Sequence, residues 1–146
     1  MSEIDSESNE SPAVLRPEVP RTELSQGFWD AIEKGELAFQ RCAACQRLRH
    51  YPQPLCPECH SGESDWQTVE GLGRIYSYTV AHRAFHPAWT DHVPYVIATI
   101  ELDCGVRMVC DLLDVDPDTI EIDQRVQARF QELPGQGVMP RFEVID

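Results

Sequence analysis

Cys42, Cys45, Cys56 and Cys59 stand as two C-x-x-C pairs separated by ten residues. A two-residue gap lets one tight turn place both sulfurs on the same ion. Two such turns facing each other offer S4 coordination, which Zn²⁺ accepts without a geometric penalty. A closed S4 site holds structure and leaves no open position for a substrate, so one structural Zn²⁺ is the expected cofactor. The same donors also take iron, and an iron tetrathiolate electron carrier is the competing reading. His50 and His60 are the nearby substitute ligands, although the four cysteines already complete a set. Arg41, Arg47, Arg49 and His50 surround the first knuckle and suit the two excess negative charges of a Zn(Cys)4 centre.

A second concentration of reactive and sticky side chains is His82–Pro94, HRAFHPAWTDHVP. Large rings on a connection cost solubility unless something covers them, and Trp and Arg concentrate at binding hot spots. His82, Arg83, Phe85, His86, Trp89 and His92 are therefore read as an interface for a partner or ligand. Local packing of these rings is the alternative. A zinc site built from His82, His86 and His92 lacks a compact ligand spacing. No nucleophile, orienting acid and oxyanion donor occur together, so no catalytic residue is assigned.

The elements that position these groups follow from periodicity. Residues 1–21 are rich in Ser, Glu, Asp, Asn and Pro, which predicts a mobile acidic tail. Residues 22–36 read as a helix, with Leu24, Phe28 and Ile32 on one face, Thr22 or Ser25 as cap and Gly35 as a left-handed stop. Phe28 and Trp29 on this helix either pack on their own chain or dock on a partner subunit. Residues 37–65 form a zinc ribbon: a strand through Leu37 and Phe39 feeds Cys42, and Pro52, Pro54 and Pro57 stiffen the return. Such a unit has little core, and the metal supplies the missing free energy.

From Trp66 the period becomes two. Residues 66–146 predict strands over Arg74–His82, Tyr95–Leu102, Val106–Leu113, Gln124–Leu133 and Val138–Ile145. The first of these places Ile75, Ser77, Thr79 and Ala81 on one face and Tyr76, Tyr78 and Val80 on the other. Asp103-Cys104-Gly105 makes a hairpin turn, and Cys110 in its apolar run reads as a buried thiol. Five short strands with long connections after the first and third suit a small closed barrel of the OB type. The expected class is thus mainly β, with an N-terminal helix, a zinc ribbon and a C-terminal five-stranded OB-fold barrel.

Composition narrows the partners. The formal charge of −13 over 146 residues repels phosphate backbones. A nucleic-acid-binding ribbon plus barrel, with Tyr76, Tyr78, Phe85 and Trp89 stacking on bases, is the alternative that this charge opposes. No nucleic-acid partner is expected. No stretch approaches the roughly 20 apolar residues of a membrane span, and the start lacks a basic-then-apolar signal pattern. The expectation is a cytoplasmic protein with reduced thiols and no membrane partner.

The ordered pieces FWDAIEKGEL, RCAACQRLRHYPQPLCPEC, W-x-x-V-E-G-L-G, RIYSYTVAHR and a closing PRFEV resemble a known family. It is the acyl-CoA-associated OB-fold family with a rubredoxin-like zinc ribbon, catalogued as domain of unknown function thirty-five. The resemblance runs from about Thr22 to the C-terminus. It implies a small subunit beside a thiolase-like or ketosynthase-like enzyme that makes or breaks carbon–carbon bonds or transfers acyl groups. It also implies zinc on Cys42, Cys45, Cys56 and Cys59, acyl-CoA as a candidate bound substrate, and catalytic residues supplied by the partner. The acidic tail departs from the compact family pattern.

Overall fold

Residues 14–145 are described by a computed structural model. Helix α1 (Gln26–Glu33) is short because a local turn holds back its start. The Thr22 and Ser25 side chains each accept from the other's backbone N–H, at 3.0 and 3.2 Å, which keeps Leu24 outside the helix and exposed. Phe28, Trp29, Ala31 and Ile32 form its buried face. Gly35, at φ +77°, ends it in a Schellman turn, with Gly35 N–H donating to Ile32 O and Glu36 N–H to Ala31 O.

Strands β1 (Leu37–Cys42), β2 (Leu48–Arg49) and β3 (Ser64–Val69) form an antiparallel sheet in the order β2-β1-β3. The ribbon's period is interrupted in sequence by the cysteine turns, yet β1 is buried along nearly its whole length. Leu37 and Phe39 enter one core together with Phe28, Ile32, Ile75, Ile100 and Phe142. The helix, ribbon and barrel are thus joined through side chains as well as through the chain.

The second sheet contains β4 (Leu72–Ala81), β5 (Tyr95–Leu102), β6 (Arg107–Asp111), β7 (Arg125–Leu133) and β8 (Gly137–Val144), in the order β6-β5-β4-β7-β8. Its ladders are antiparallel. The ends meet through a parallel bridge between Leu112 and Phe142, where Leu113 N–H donates to Phe142 O at 2.8 Å. That seam nearly closes the five strands into the OB-type barrel expected from the sequence. Gly73 is required where β4 crosses the barrel, since a Cβ there would lie 2.5 Å from the Glu101 carbonyl oxygen.

Alternation along β4 differs from the sequence expectation. The register shifts between Ile75 and Ser77, so Ile75 pairs with Ile100 while Tyr78 and Val80 pair with Ala98 and Val96. Directly paired residues share a sheet face, and Ile100, Ala98 and Val96 all point into the core. Ile75 therefore shares the inner face with Tyr78 and Val80, not with Ser77, Thr79 and Ala81. An extra residue at the bulge reverses the phase.

Residues 14–21, expected from composition to belong to the mobile tail, run against the β7–β8 hairpin. Arg16 N–H donates to Pro134 O at 3.0 Å and Gln136 Nε2 donates to Pro17 O at 3.0 Å. Arg16 and Arg21 stack over Trp89 and Trp29, at 4.6 and 5.1 Å from the ring centres. Composition alone does not register such contacts, each worth about 0.5–1 kcal/mol at an exposed site. Residues 1–13 of the expected tail lie outside the described residues.

Candidate functional site

The two cysteine turns are built alike. Gln46 N–H donates to Cys42 O at 2.8 Å, and His60 N–H donates to Cys56 O at 2.9 Å. Gln46 and His60 both take positive φ, 66° and 64°, immediately after the second cysteine of each pair. Cys45 N–H and Glu58 N–H point at the Cys42 and Cys56 sulfurs, each at 3.4 Å. The four Sγ atoms lie within 4.8 Å of one another, placed to bind one metal ion. His60 is thus the turn residue equivalent to Gln46, and neither His60 nor His50 belongs to the ligand group.

Protons in this cluster are unevenly held. The Cys45 N–H bond to its sulfur draws Cys42 down to about 6, and the Cys59 N–H bond lowers Cys56 likewise. For Cys59 the Ser61 N–H works toward the thiolate, but the Cys42 sulfur and burial together push it up to about 11. Four anionic sulfurs this close repel, and a cation is what allows all four to ionise. The donor set, the N–H···S bonds and the spacing therefore fit a tetrathiolate metal. Among the surrounding arginines, Arg41 is paired with Asp65 and Arg47 with Glu58. Arg49 is buried, and among the described residues it bonds to neutral acceptors, Gln40 Oε1 at 2.7 Å and Gln53 O at 3.1 Å.

A cleft of about 670 Å³ lies between α1, the ribbon and strands β5, β6 and β8. Phe28, Trp29, His50 and Tyr51 line one wall, and Tyr95, Ile97 and Met108 line the other. Trp89 reaches it from a single 3-10 turn, Pro87–Trp89, whose start is capped by His86 Nδ1 accepting from Ala88 N–H at 3.0 Å. Trp89 stands edge-on to His86 at 5.8 Å and tilted against Tyr95 at 6.3 Å. Of the residues read as an interface, Phe28, Trp29 and Trp89 come together at this cleft. Phe28 and Trp29 are otherwise buried in their own core, 5% and 8% exposed. His82, Arg83, Phe85 and His92 are exposed around the loop, and Phe85 is 79% exposed. Among the described residues, His82, His86 and His92 do not gather as metal ligands.

The sequence offers His50 only as a ligand or a charge. Its ring instead packs on Phe28 at 5.0 Å and Phe39 at 5.3 Å, and its Nδ1 is buried without a hydrogen-bond partner among the described residues. Burial pushes it down to about 4. The unfolded chain takes up its proton near 6.5, above the folded value, so this stabilisation is intact above pH 6.5 and is lost as pH falls toward 4. Between pH 7 and 5 the wild type is expected to lose about 2 kcal/mol more than His50→Gln. Urea titrations of both at the two pH values measure it; equal losses would show that His50 does not carry the effect.

Residues 29–65 match the family model described as the rubredoxin-like zinc ribbon domain of ChsH2, and residues 66–131 the model of its C-terminal OB-fold domain. A DUF35 domain-containing scaffold protein of Methanothermobacter thermautotrophicus is 32% identical over 117 residues, covering 80% of this chain and 87% of that protein. The chain belongs to the DUF35 family. A probable enoyl-CoA hydratase alpha subunit of Thermomonospora curvata is 42% identical over 139 residues, 93% of this chain. The matched part is 42% of that relative, so the chain spans about two fifths of its length. Among solved structures, the Ltp2-ChsH2(DUF35) aldolase superposes with a TM-score of 0.79 at 38% identity, over 86% of this chain and 98% of that one. Within the DUF35 frame, several cleft residues are not singled out by the sequence, among them Arg16, Tyr51, Tyr95, Ile97 and Met108. Only Tyr95 carried a local signal, a large ring at the point where the aromatic loop becomes a strand.

Proposed function

We propose that this DUF35 chain is a non-catalytic, zinc-containing accessory subunit of an acyl-CoA enzyme complex, with a thiolase-like partner supplying the reacting groups. The observation that carries the reading is an aromatic loop and cleft beside a closed four-cysteine site, with no assembled catalytic set among the described residues. The names of the matched relatives, a hydratase alpha subunit, a scaffold protein and an aldolase, support an acyl-CoA setting and a partner subunit. Cys42, Cys45, Cys56 and Cys59 would hold zinc as a structural ion. The partner would meet the exposed loop through Arg83, Phe85 and Trp89, with His82, His86 and His92 around them.

Co-expression with thiolase-like chains encoded nearby tests this. The expected result is a stable complex whose carbon–carbon bond-making or bond-breaking activity depends on both chains. A chain that stays monomeric and leaves every such enzyme's activity unchanged would overturn it. Phe85→Ala is expected to weaken the complex at least tenfold, near the lower end of hot-spot effects, without changing the melting temperature. Its ring is largely in solvent, so unchanged association, measured by interferometry, would remove the loop from the interface.

A further inference from the structure

The arm at residues 14–21, VLRPEVPR, carries an arginine-flanked P-x-x-P spacing, from Arg16-Pro17 to Pro20-Arg21. Each proline fixes its own φ near about −65° and pushes the residue before it toward extended backbone. Such a segment has little entropy left to lose on docking, which is why proline-rich segments are taken up by aromatic-lined grooves. The seat of the arm has that make-up. The Arg16 guanidinium lies 4.6 Å from the centre of the Trp89 ring, and that of Arg21 lies 5.1 Å from Trp29. Between them Val19 packs against the core, Arg16 N–H donates to Pro134 O, and Gln136 Nε2 donates to Pro17 O. Arg21 also pairs with Glu33 at 2.6 Å. The β7–β8 turn fits the arm closely, since a Cβ at Gly135 would lie 2.5 Å from the Arg16 carbonyl oxygen. Yet Val14 and Leu15 stay exposed, and residues 14–21 belong to no helix or strand. A segment held in this way sits at the low-stability end of a fold and can leave while the core stays intact.

We infer that this seat is a recognition groove for an extended, arginine-flanked P-x-x-P segment of a partner protein, and that the chain's own arm fills it as a displaceable pseudo-ligand. Charge favours that occupant: a formal charge of −13 attracts a cationic segment, and Glu33 pairs with its second arginine. Trp89 also belongs to the loop assigned above to the partner. The partner half of the inference therefore rests on the accessory-subunit reading and adds a step to it, because docking on Trp89 requires the arm to leave. In the free chain the arm is tethered beside its seat at an effective concentration of roughly millimolar, which excludes weaker segments. Association is thereby reserved for a partner whose segment outcompetes the arm.

The test needs no enzyme partner, so it separates the groove from the complex. A rhodamine-labelled peptide with the sequence of residues 14–21 is titrated into the full chain and into the full chain carrying Arg16→Ser plus Arg21→Ser, whose own arm is unseated. Fluorescence anisotropy follows binding. The double variant should keep its metal and its cooperative melting, since both arginines lie outside the core. It should bind the peptide saturably and at least about tenfold more tightly than the wild type, whose seat is filled. Replacing both peptide arginines by serine should abolish saturable binding, and replacing both prolines by alanine should weaken it about threefold or more. Absence of saturable binding, equal binding to both chains, or equal binding of the serine peptide would each overturn the inference. A wild-type chain that sediments as a dimer and becomes monomeric on adding peptide would give the seat to a second copy's arm and overturn the partner assignment. Peptide binding without complex formation would uphold the groove and count against the accessory-subunit reading; complex formation without peptide binding would do the reverse.

Discussion

Cys56→Ala is expected to abolish metal binding and to lower the melting temperature of the whole chain, not of the ribbon alone. Cys56 is 1% exposed and its sulfur lies 3.6 Å from Cys45. Removing it leaves three donors and an unfilled buried space. Structural zinc supplies on the order of 10 kcal/mol of apparent free energy in small metal-folded units. Here that energy is not confined to the ribbon, because β1 runs from the shared core into Cys42. Losing order at Cys42 releases Phe39 and Leu37, which are 0% and 2% exposed, from contact with the helix and barrel. Elemental analysis should find one equivalent of zinc in the wild type and none in the variant, and visible absorption distinguishes iron. A variant that keeps one equivalent of metal and melts with the wild type would contradict the four-cysteine site. A metal-free variant whose barrel melts normally would contradict the coupling.

Phe142→Ala should have the next largest effect, and it acts at the seam that closes the barrel. Phe142 is fully buried and sits on the seam that joins β8 to the end of β6. Truncating a buried Phe costs about 3–5 kcal/mol, since the cavity collapses only in part. In a chain of this size that corresponds to a fall of roughly 10 °C in melting temperature. Phe142→Leu keeps most of the volume and should cost about 1.5 kcal/mol. Denaturant titration of the three proteins gives the ranking. A loss below about 1 kcal/mol for the alanine variant would mean that the seam is not closed by this ring.

Local signals made much of this molecule readable from the sequence. The metal site rests on C-x-x-C spacing, which a single turn enforces, and the structure keeps both turns. The barrel strands follow period two, because one side of each faces the core. Gly35 was readable because the left-handed region favours glycine. What was not readable depends on distant residues meeting. The bulge after Ile75 reverses a face without any glycine or proline to announce it. β3 is amphipathic only weakly, since it lies at a sheet edge against β1, so Ser64–Val69 gave little pattern. The arm at 14–21, VLRPEVPR, shows no period, and much of what holds it, at Trp89, Pro134 and Gln136, lies more than seventy positions away. The cleft has no sequence motif at all: Arg16, His50, Trp89 and Met108 meet only after four elements have packed.

β3 is followed by just Glu70 and Gly71 before β4 begins, and all six of its residues pair with β1. Anyone preparing the barrel as a separate fragment from Trp66 onward would sever that strand after its second residue. The remaining Trp66–Val69 would then trail from the barrel with its hydrogen-bonding edge bare, a ready template for self-association. A fragment that starts before α1 and retains the cysteine turns is the smaller piece suited to crystallisation or partner screening.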